Sequence, residues 1–262
     1  MFDDTLHIPL RFYDAVEKQD RYKDHVTTKQ FHQYTDATHL PEFQVKVALG
    51  TETSTITLVS LAGTSAVITP TVYYVPFTAY TYLIYDRTST VNMSVGEYYL
   101  DITAGSDHFY SEVFNVDDIT DKTILTYYNT YDLGGIDYTN GAQAQYKNTF
   151  IFDATLAKPE YLQEEEAIED GEGNQLLTFQ RSVKLFKMWF YAPEYIVDAI
   201  ALIGLHDFVT IWTHYGMPEQ ETGSIYDFTM TAEWMESKGL AKVTCEFRDT
   251  PIIKTTCSDP IV

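Results

Sequence analysis

From residue 43 to residue 116 the chain is a series of short segments in which apolar and polar residues alternate or apolar residues run together. The segments are FQVKVAL, STITLVSL, SAVITPTVYYVPF, TYLIYDR, EYYLDITA and HFYSEVFNV. Turn-forming residues separate them, among them Gly50, Gly63, Asn92, Gly96 and Gly105. About seven short strands without a helical period are typical of an immunoglobulin-like β-sandwich. We therefore expect such a sandwich at residues 43–117.

A second β-rich region is expected at residues 118–262. TILTYYNTY and NTFIFD predict strands, and a long alternation predicts another strand from Gln175 to Tyr191. Pro193 then opens PEYIVDAIALIGLHD, whose broad apolar stripe predicts a helix at residues 193–206. Further alternating segments follow, around residues 208–212, 223–234 and 238–247. The pattern predicts a second antiparallel β domain with one helix, so the fold class is mainly β.

Residues 1–42 show no clean period, and we assign them to an N-terminal arm or strands. The stretch Leu10–Tyr22 fits either a helical turn or an extended arm, and both alternatives stay open. His25, His32 and His39 recur at a spacing of seven, which would align them on one face of a helix. The threonines and tyrosine around them favour strand or loop instead, and no carboxylate or cysteine completes a ligand set. A metal site is not expected here.

The segment from Pro159 to Arg181 carries the densest charge. Seven carboxylates lie within thirteen residues without a lysine or arginine between them: Glu160, Glu164, Glu165, Glu166, Glu169, Asp170 and Glu172. Such a run lies in water, binds cations or faces a basic partner. We expect a solvated acidic loop at residues 160–174, at the tip of a hairpin.

Three cations, Arg181, Lys184 and Lys187, follow the acidic run. They would pair with it across the hairpin or dock against the acids of a neighbouring subunit. The sequence therefore offers seven candidate interface residues, which are Glu164, Glu165, Glu166, Glu169, Arg181, Lys184 and Lys187.

Charge and composition narrow the possible partners. The formal net charge of −21 and the pI of about 4.5 would repel a phosphate backbone, so direct nucleic-acid binding is not expected. The sequence contains no apolar span of 18 residues, so membrane insertion is not expected. The first residues, MFDDTLHIPLRFYD, lack the basic and apolar regions of a signal peptide, so we expect synthesis in a cytoplasm. Cys245 and Cys257 are interpreted as free thiols, the alternative being a pair facing each other across a hairpin near residues 249–251.

The sequence lacks the common motifs of catalytic and nucleotide-binding sites. The chain contains no GxSxG, HExxH or P-loop sequence, and no GxGxxG followed by a helix, so we expect neither an enzyme nor a cofactor. His206 and Asp207 are adjacent and invite a catalytic interpretation. We interpret His206 instead as a residue favoured by the dipole at a helix C-terminus, because no nucleophile motif accompanies it.

A calcium loop is suggested weakly by Asp170-Gly171-Glu172-Gly173-Asn174. Asp170, Glu172 and Asn174 alternate oxygen-bearing side chains, as the start of such a loop does. The match then fails, because Gln175 and Arg181 stand where the loop needs glycine and glutamate. The three residues remain weak calcium candidates.

Several sequence segments, taken in their order along the chain, resemble segments of virion proteins of tailed bacteriophages of the crAss-like type. They are GEYYLDITAGSDHFYSEVFNV, KNTFIFD followed by KPEY, the acidic EEE and EDGEGN, TFQRSVKLFKMWF, and the closing pair EW and GLAKVTCEF, spread over roughly residues 95–257. The resemblance implies a sandwich followed by a second β domain. It also implies a structural role in a tail, neck ring or baseplate, as a symmetric homo-oligomer that contacts other tail and neck proteins within the virion.

An alternative is that the sandwich is a binding module for a carbohydrate or a surface receptor. Exposed tyrosines would then stack on sugar rings, and the candidates are Tyr73, Tyr74, Tyr80 and Tyr82. Tyrosines in strands are more often half-buried residues of the sheet, because their rings contribute a large apolar area.

Overall fold

The computed structural model describes residues 8–14, 33–48, 54–76, 80–87, 89–133, 135–139, 146–169, 171–213, 220–222, 226–235, 239–248 and 252–255. Across these residues the fold is mainly β, as predicted. The strands form four sheets, and the described residues include one α-helix.

Two sheets are built from residues before Asp117. Their strands are β1 (Phe12–Asp14), β2 (Gln33–Thr35), β3 (Phe43–Ala48), β4 (Ser54–Ser60), β5 (Ser65–Ile68), β6 (Tyr73–Pro76), β7 (Tyr80–Tyr85), β8 (Gly96–Ala104), β9 (Asp107–Ser111) and β10 (Phe114–Val116). Strands β3, β7 and β6 form a three-stranded antiparallel sheet. The other seven form the larger sheet.

Strands β9 and β10 lie end to end along the same edge of β8. β9 pairs with Asp101–Ala104 and β10 pairs with Gly96–Tyr98, while β4 pairs along the other edge of β8. On the outer side, β1 pairs with β9 and β2 pairs with β10. β1 and β2 therefore occupy one position in the strand order, at the edge of the sheet.

The break between β9 and β10 is closed by a side chain. The Leu100 N–H donates to Ser111 Oγ at 2.8 Å, and Ser111 Oγ donates to the Glu112 carbonyl at 2.7 Å. The hydroxyl thus bonds to backbone groups where the regular ladder is interrupted, as the burial of this backbone requires.

Side chains from both sheets pack into one hydrophobic core. Phe43 of β3 stacks on Tyr85 of β7 with ring centroids 5.4 Å apart, and it meets Phe12 of β1 edge-on at 5.3 Å. Three buried side chains from later in the chain also pack here, namely Ile136, Tyr138 and Tyr146, with the partly buried Tyr128 and Leu133 beside them. The first core is therefore a two-layer arrangement that recruits residues beyond position 118.

The remaining strands form two further sheets. They are β11 (Thr123–Tyr128), β12 (Asn148–Phe152), β13 (Thr155–Leu156), β14 (Glu160–Glu169), β15 (Gln175–Pro193), β16 (Phe208–Thr213), β17 (Gln220–Thr222), β18 (Tyr226–Trp234), β19 (Leu240–Arg248) and β20 (Ile252–Thr255). One sheet has the order β12-β11-β16-β17. In the other, β15 is central, with β13 and β14 along one side and β19 and β20 along the other.

The second core lies between these two sheets and the helix. Alternate residues of β15, namely Phe186, Met188 and Phe190, point into it because side chains along a strand alternate between faces. Helix α1 (Glu194–Ala201) covers the core with Ile196 and Ile200, among others. No helix in the described part of the chain is long and apolar enough to cross a membrane.

The predicted helix at residues 193–206 is too long. Pro193 is the last residue of β15 and caps α1, and after Ala201 only a 3₁₀ turn at Ile203–Leu205 follows. Gly204 lies in that turn, and a Cβ added to it would be 2.8 Å from the Phe228 carbonyl oxygen. The close approach of β18 thus requires a residue without a side chain, and glycine is a poor helix former.

Gly204→Ala is expected to lower the free energy of unfolding by about 1–3 kcal/mol, the usual cost of overpacking a fixed site. The contact is with backbone, which cannot rotate away as a side chain would. Urea-induced unfolding measures the change. Gly171→Ala is the matched control, because a Cβ at Gly171 meets nothing within 4 Å. Equal stability of the two variants would contradict the proposed contact.

The predicted acidic loop at residues 160–174 is wrong for most of its length. Residues 160–169 form strand β14, and only residues after it make the turn. Charge density suggested a loop, but an edge strand needs only backbone hydrogen bonds from its neighbour. β15 supplies those bonds through ten paired positions, and both faces of β14 leave the carboxylates in water.

Candidate functional site

The acidic segment is one arm of a long antiparallel hairpin, which we call the acidic hairpin (residues 160–185). β14 runs alongside Gln175–Leu185, with one irregularity near Glu166 where Thr178 is the extra residue. The Thr178 hydroxyl donates to the Glu166 carbonyl at 3.0 Å. Gly173 closes the turn with a φ of 87°, a conformation that favours glycine.

The acidic hairpin projects from both hydrophobic cores. Nine of the ten side chains of β14 are exposed, and Leu162 alone among them is half-buried. On β15, Val183 is buried, whereas the described side chains from Gln175 to Ser182 are not. β20 pairs with Phe179–Ser182 on the far side of β15. The hairpin is thus a narrow ribbon held chiefly by its backbone ladder.

The three candidate cations face acids or an aromatic ring across the ladder. Arg181 Nη1 lies 3.8 Å from Glu164 Oε2, and Lys184 Nζ lies 5.9 Å from the centre of the Tyr161 ring. Lys187 Nζ lies 3.4 Å from Glu160 Oε1 and 3.4 Å from Glu246 Oε1. The contacts of Arg181 and Lys187 match the first of the two alternatives, pairing with the acidic run, whereas the contact of Lys184 is with an aromatic ring. Exposed pairs of this kind contribute little to stability because water and salt screen them, so they fix the register of the strands more than they stabilise the fold.

Acidic charge remains on the outer strand after this pairing. Glu165 accepts a hydrogen bond from Gln180 Nε2 at 3.0 Å, a neutral partner. Glu166 and Glu169 make no ion pair with any described residue. The outer edge of β14 carries no paired strand among the described residues, so backbone donors and acceptors lie beside a row of carboxylates. A basic strand or loop has the complementary chemistry.

Two of the three calcium candidates lie at the turn of the acidic hairpin. Glu172 and Asn174 are exposed, and Asp170 lies outside the described residues. Within the described ranges no three His, Cys, Asp or Glu side chains come together as a possible metal site. His25 and His32 also lie outside these ranges, and His39 contacts Asp36 with Nδ1 3.0 Å from Oδ1.

His206 and Asp207 point to different partners. The His206 Nδ1 lies 2.8 Å from the Leu202 carbonyl, which can only accept, so Nδ1 carries a proton. Nε2 then accepts from the Tyr138 hydroxyl at 2.7 Å, and that hydroxyl accepts from Asn148 Nδ2 at 2.8 Å. Burial lowers the pKa of His206, in agreement with a neutral ring. The Asp207 carboxylate instead accepts from the Thr130 backbone N–H and hydroxyl.

The alternative of a cysteine pair across a hairpin involves Cys257, which the described residues do not include; β19 and β20 both pair with β15. Cys245 is a free, fully buried thiol of the second core, and burial raises its pKa to about 12. Cys257 lies outside the described residues.

The tyrosines of the carbohydrate alternative make internal contacts. Tyr82 is buried, and its hydroxyl donates to the Gly135 carbonyl at 3.1 Å. Tyr80 packs edge-on against Tyr82, and the Tyr74 hydroxyl donates to Ser54 Oγ at 2.8 Å. The side chain of Tyr73 lies outside the described part of the chain.

Two buried glutamates were not predicted from the sequence patterns. Glu112, 4% exposed, lies in the break between β9 and β10, where the Tyr13 hydroxyl donates to its Oε1. Burial raises the pKa of Glu112 to about 8, against the opposing effect of Arg11. Glu42, 6% exposed, has a pKa raised by burial to about 7, with Arg87 Nε 3.7 Å from its Oε1. Neither glutamate lies in a motif, so only their positions inside strand-rich segments hinted at burial.

Comparison with known proteins adds no relative. No protein-family model, no curated protein and no solved structure matches the chain.

Proposed function

We propose that the chain is a structural protein of a tailed phage virion, a tail, neck-ring or baseplate adaptor that assembles as a symmetric oligomer. The acidic hairpin is the observation that carries this proposal. It is a ribbon outside both cores, and among the described residues its outer edge carries no strand and Glu166 and Glu169 have no ion-pair partner, which suits a contact with a neighbouring subunit.

Energetics support a contact role for the hairpin. Fixing the backbone of each residue costs about 1–2 kcal/mol in conformational entropy. Within the cores, the burial of apolar surface offsets that cost. Strand β14 buries almost no apolar surface. Apart from Phe179–Ser182, where β20 adds a third strand, the ribbon has two strands, and a two-stranded ribbon without an apolar face is marginal in water. Docking against a partner would bury its aromatic and aliphatic side chains, such as Tyr161 and Ile168, which are 66% and 60% exposed.

The two cores suit a protein that spaces and connects others. On this proposal the first is an immunoglobulin-like sandwich, and the second is an antiparallel β domain that presents the hairpin and carries helix α1. Both are closed by large buried side chains, which supports a rigid scaffold. The strong negative charge disfavours contact with a phosphate backbone, so the partners are other virion proteins and copies of the chain itself.

The first experiment measures assembly. Light scattering on the purified full chain is expected to give a closed oligomer, and mass spectrometry of purified particles of the parent phage is expected to detect the chain. A monomer at all accessible concentrations, together with absence from purified particles, would contradict the proposal.

A second experiment tests the hairpin as the contact. The triple variant Glu165→Lys, Glu166→Lys, Glu169→Lys is expected to lose assembly without loss of folding, because these side chains are exposed and lie outside both cores. The control variant changes the net charge by the same amount at three exposed acids outside the hairpin: Asp121→Lys, Asp198→Lys, Glu233→Lys. If both variants assemble alike, the hairpin is not the contact.

A further inference from the structure

Strand β1 completes the first core from the edge of the larger sheet. Ile8, Leu10 and Phe12 are 3%, 0% and 2% exposed, and all three pack in that core. The strand itself is short, and three paired positions join it to β9. Each copy of the chain thus needs a β1 at this edge, since its absence would expose the apolar side chains beneath it.

A specific polar contact marks the place of β1. The Glu112 N–H donates to the Arg11 carbonyl at 2.8 Å, and the Tyr13 hydroxyl donates to the Glu112 carboxylate. Glu112 is 4% exposed, so water hardly reaches its carboxyl group. The Tyr13 hydroxyl supplies a hydrogen-bond donor instead. Beside β9, a buried carboxylate oxygen therefore takes its hydrogen bond from a side chain of β1.

The connection from β1 to β2 is far longer than the gap that it crosses. Asp14 lies opposite Phe109 and Gln33 opposite Phe114, and the two partners lie on collinear strands. Five residues along a strand span about 17 Å. The connecting residues 15–32 give nineteen Cα–Cα steps between Asp14 and Gln33, with a reach of about 65 Å when extended. The chain length therefore also allows β1 to reach the β9 edge of an adjacent copy.

We propose that in the assembled protein β1 is exchanged, so that residues 8–14 of one copy occupy the β9 edge of the next. The partner is a second copy of this chain, and this inference rests on the proposed assembly. Exchange keeps every contact that β1 makes within one copy, so the buried contacts are the same in the exchanged and the unexchanged arrangement. Each exchanged strand links two neighbours through buried side chains rather than through an exposed surface.

The test uses the pair Tyr13 and Tyr110, which lie opposite each other in the register of β1 and β9. Two full-length chains with different affinity tags are co-expressed, one carrying Tyr13→Cys and the other Tyr110→Cys, both in a Cys257→Ser background. Under an added oxidant, exchange is expected to give a disulfide-linked heterodimer on a non-reducing gel. Tyr13→Cys combined with Val67→Cys is the control, because Val67 lies exposed on β5 and should give no link.

A single chain that carries both Tyr13→Cys and Tyr110→Cys covers the other outcomes. Covalently linked multimers support exchange. A monomer with an internal disulfide overturns it, and so does the absence of any link, since β1 then does not occupy the β9 edge. Light scattering on the same samples separates the two proposals: an oligomer with only internal disulfides overturns exchange but leaves the assembly standing.

Discussion

Replacing Glu112 with glutamine is expected to stabilise the chain at high pH and to have little effect at low pH. The pKa of Glu112 is raised by burial from 4.5 to about 8. A raised pKa in the folded state means that the stability contributed by this group is fully present below about pH 4.5 and is lost as the pH rises through about 8. Above that pH, the wild-type chain must hold a buried carboxylate, whereas the amide of the Glu112→Gln variant stays neutral.

The expected gain in the free energy of unfolding at about pH 9 is roughly 2–4 kcal/mol. A pKa shift of this size corresponds to about 5 kcal/mol, but the new amide also needs hydrogen-bond partners in a buried place. The difference between variant and wild type is measured by urea unfolding at about pH 5 and about pH 9. Glu233→Gln is the control, because Glu233 is exposed. A constant difference across this range would show that Glu112 does not titrate as proposed.

Gln44→Ala is expected to lower the free energy of unfolding by about 2–4 kcal/mol. Gln44 of β3 is 1% exposed, and its amide acts like a piece of backbone. Its Nε2 donates to the Asp137 carbonyl at 2.6 Å, and its Oε1 accepts from the Asp137 N–H at 3.0 Å. Truncation removes both bonds from a peptide group that water reaches poorly.

Gln163→Ala provides the comparison for Gln44→Ala. Gln163 lies on the exposed β14, and its truncation should change stability by no more than about 0.5 kcal/mol. Hydrogen exchange adds a local measurement: the Gln44 variant should lose amide protection at residues 136–138 before it loses protection in β7. Equal effects of the two truncations would mean that the Gln44 contact contributes no more than a surface glutamine.

The strands of both cores were predictable because their apolar residues repeat at a period of two. The alternation from Gln175 to Tyr191 predicted all but the last two residues of β15, because this strand buries one face against the second core. β14 was missed for the opposite reason. It buries neither face, so no periodic pattern marks it, and its partner strand decides its conformation.

Long-range polar contacts could not be predicted from local sequence. Gln44 and Asp137 are 93 residues apart, and Tyr13 and Glu112 are 99 residues apart. Nothing near Gln44 or Glu112 in the chain distinguishes them from surface residues, because their burial depends on which strands become neighbours. The cations of the hairpin were more accessible, since a tight turn fixes which residues of adjacent strands face each other.

The acidic edge of β14 also limits the symmetry of any assembly that uses it. In a two-fold interface the same patch meets itself, so the row of Glu164, Glu165, Glu166 and Glu169 would lie against the same row of acids in the second copy. Like charges directly opposite each other on neighbouring strands are destabilising. Contacts through this edge must therefore be head to tail, with a different surface of the next subunit as receiver. Head-to-tail contacts close into rings of three or more subunits or continue as filaments, so this edge disfavours a simple two-fold dimer.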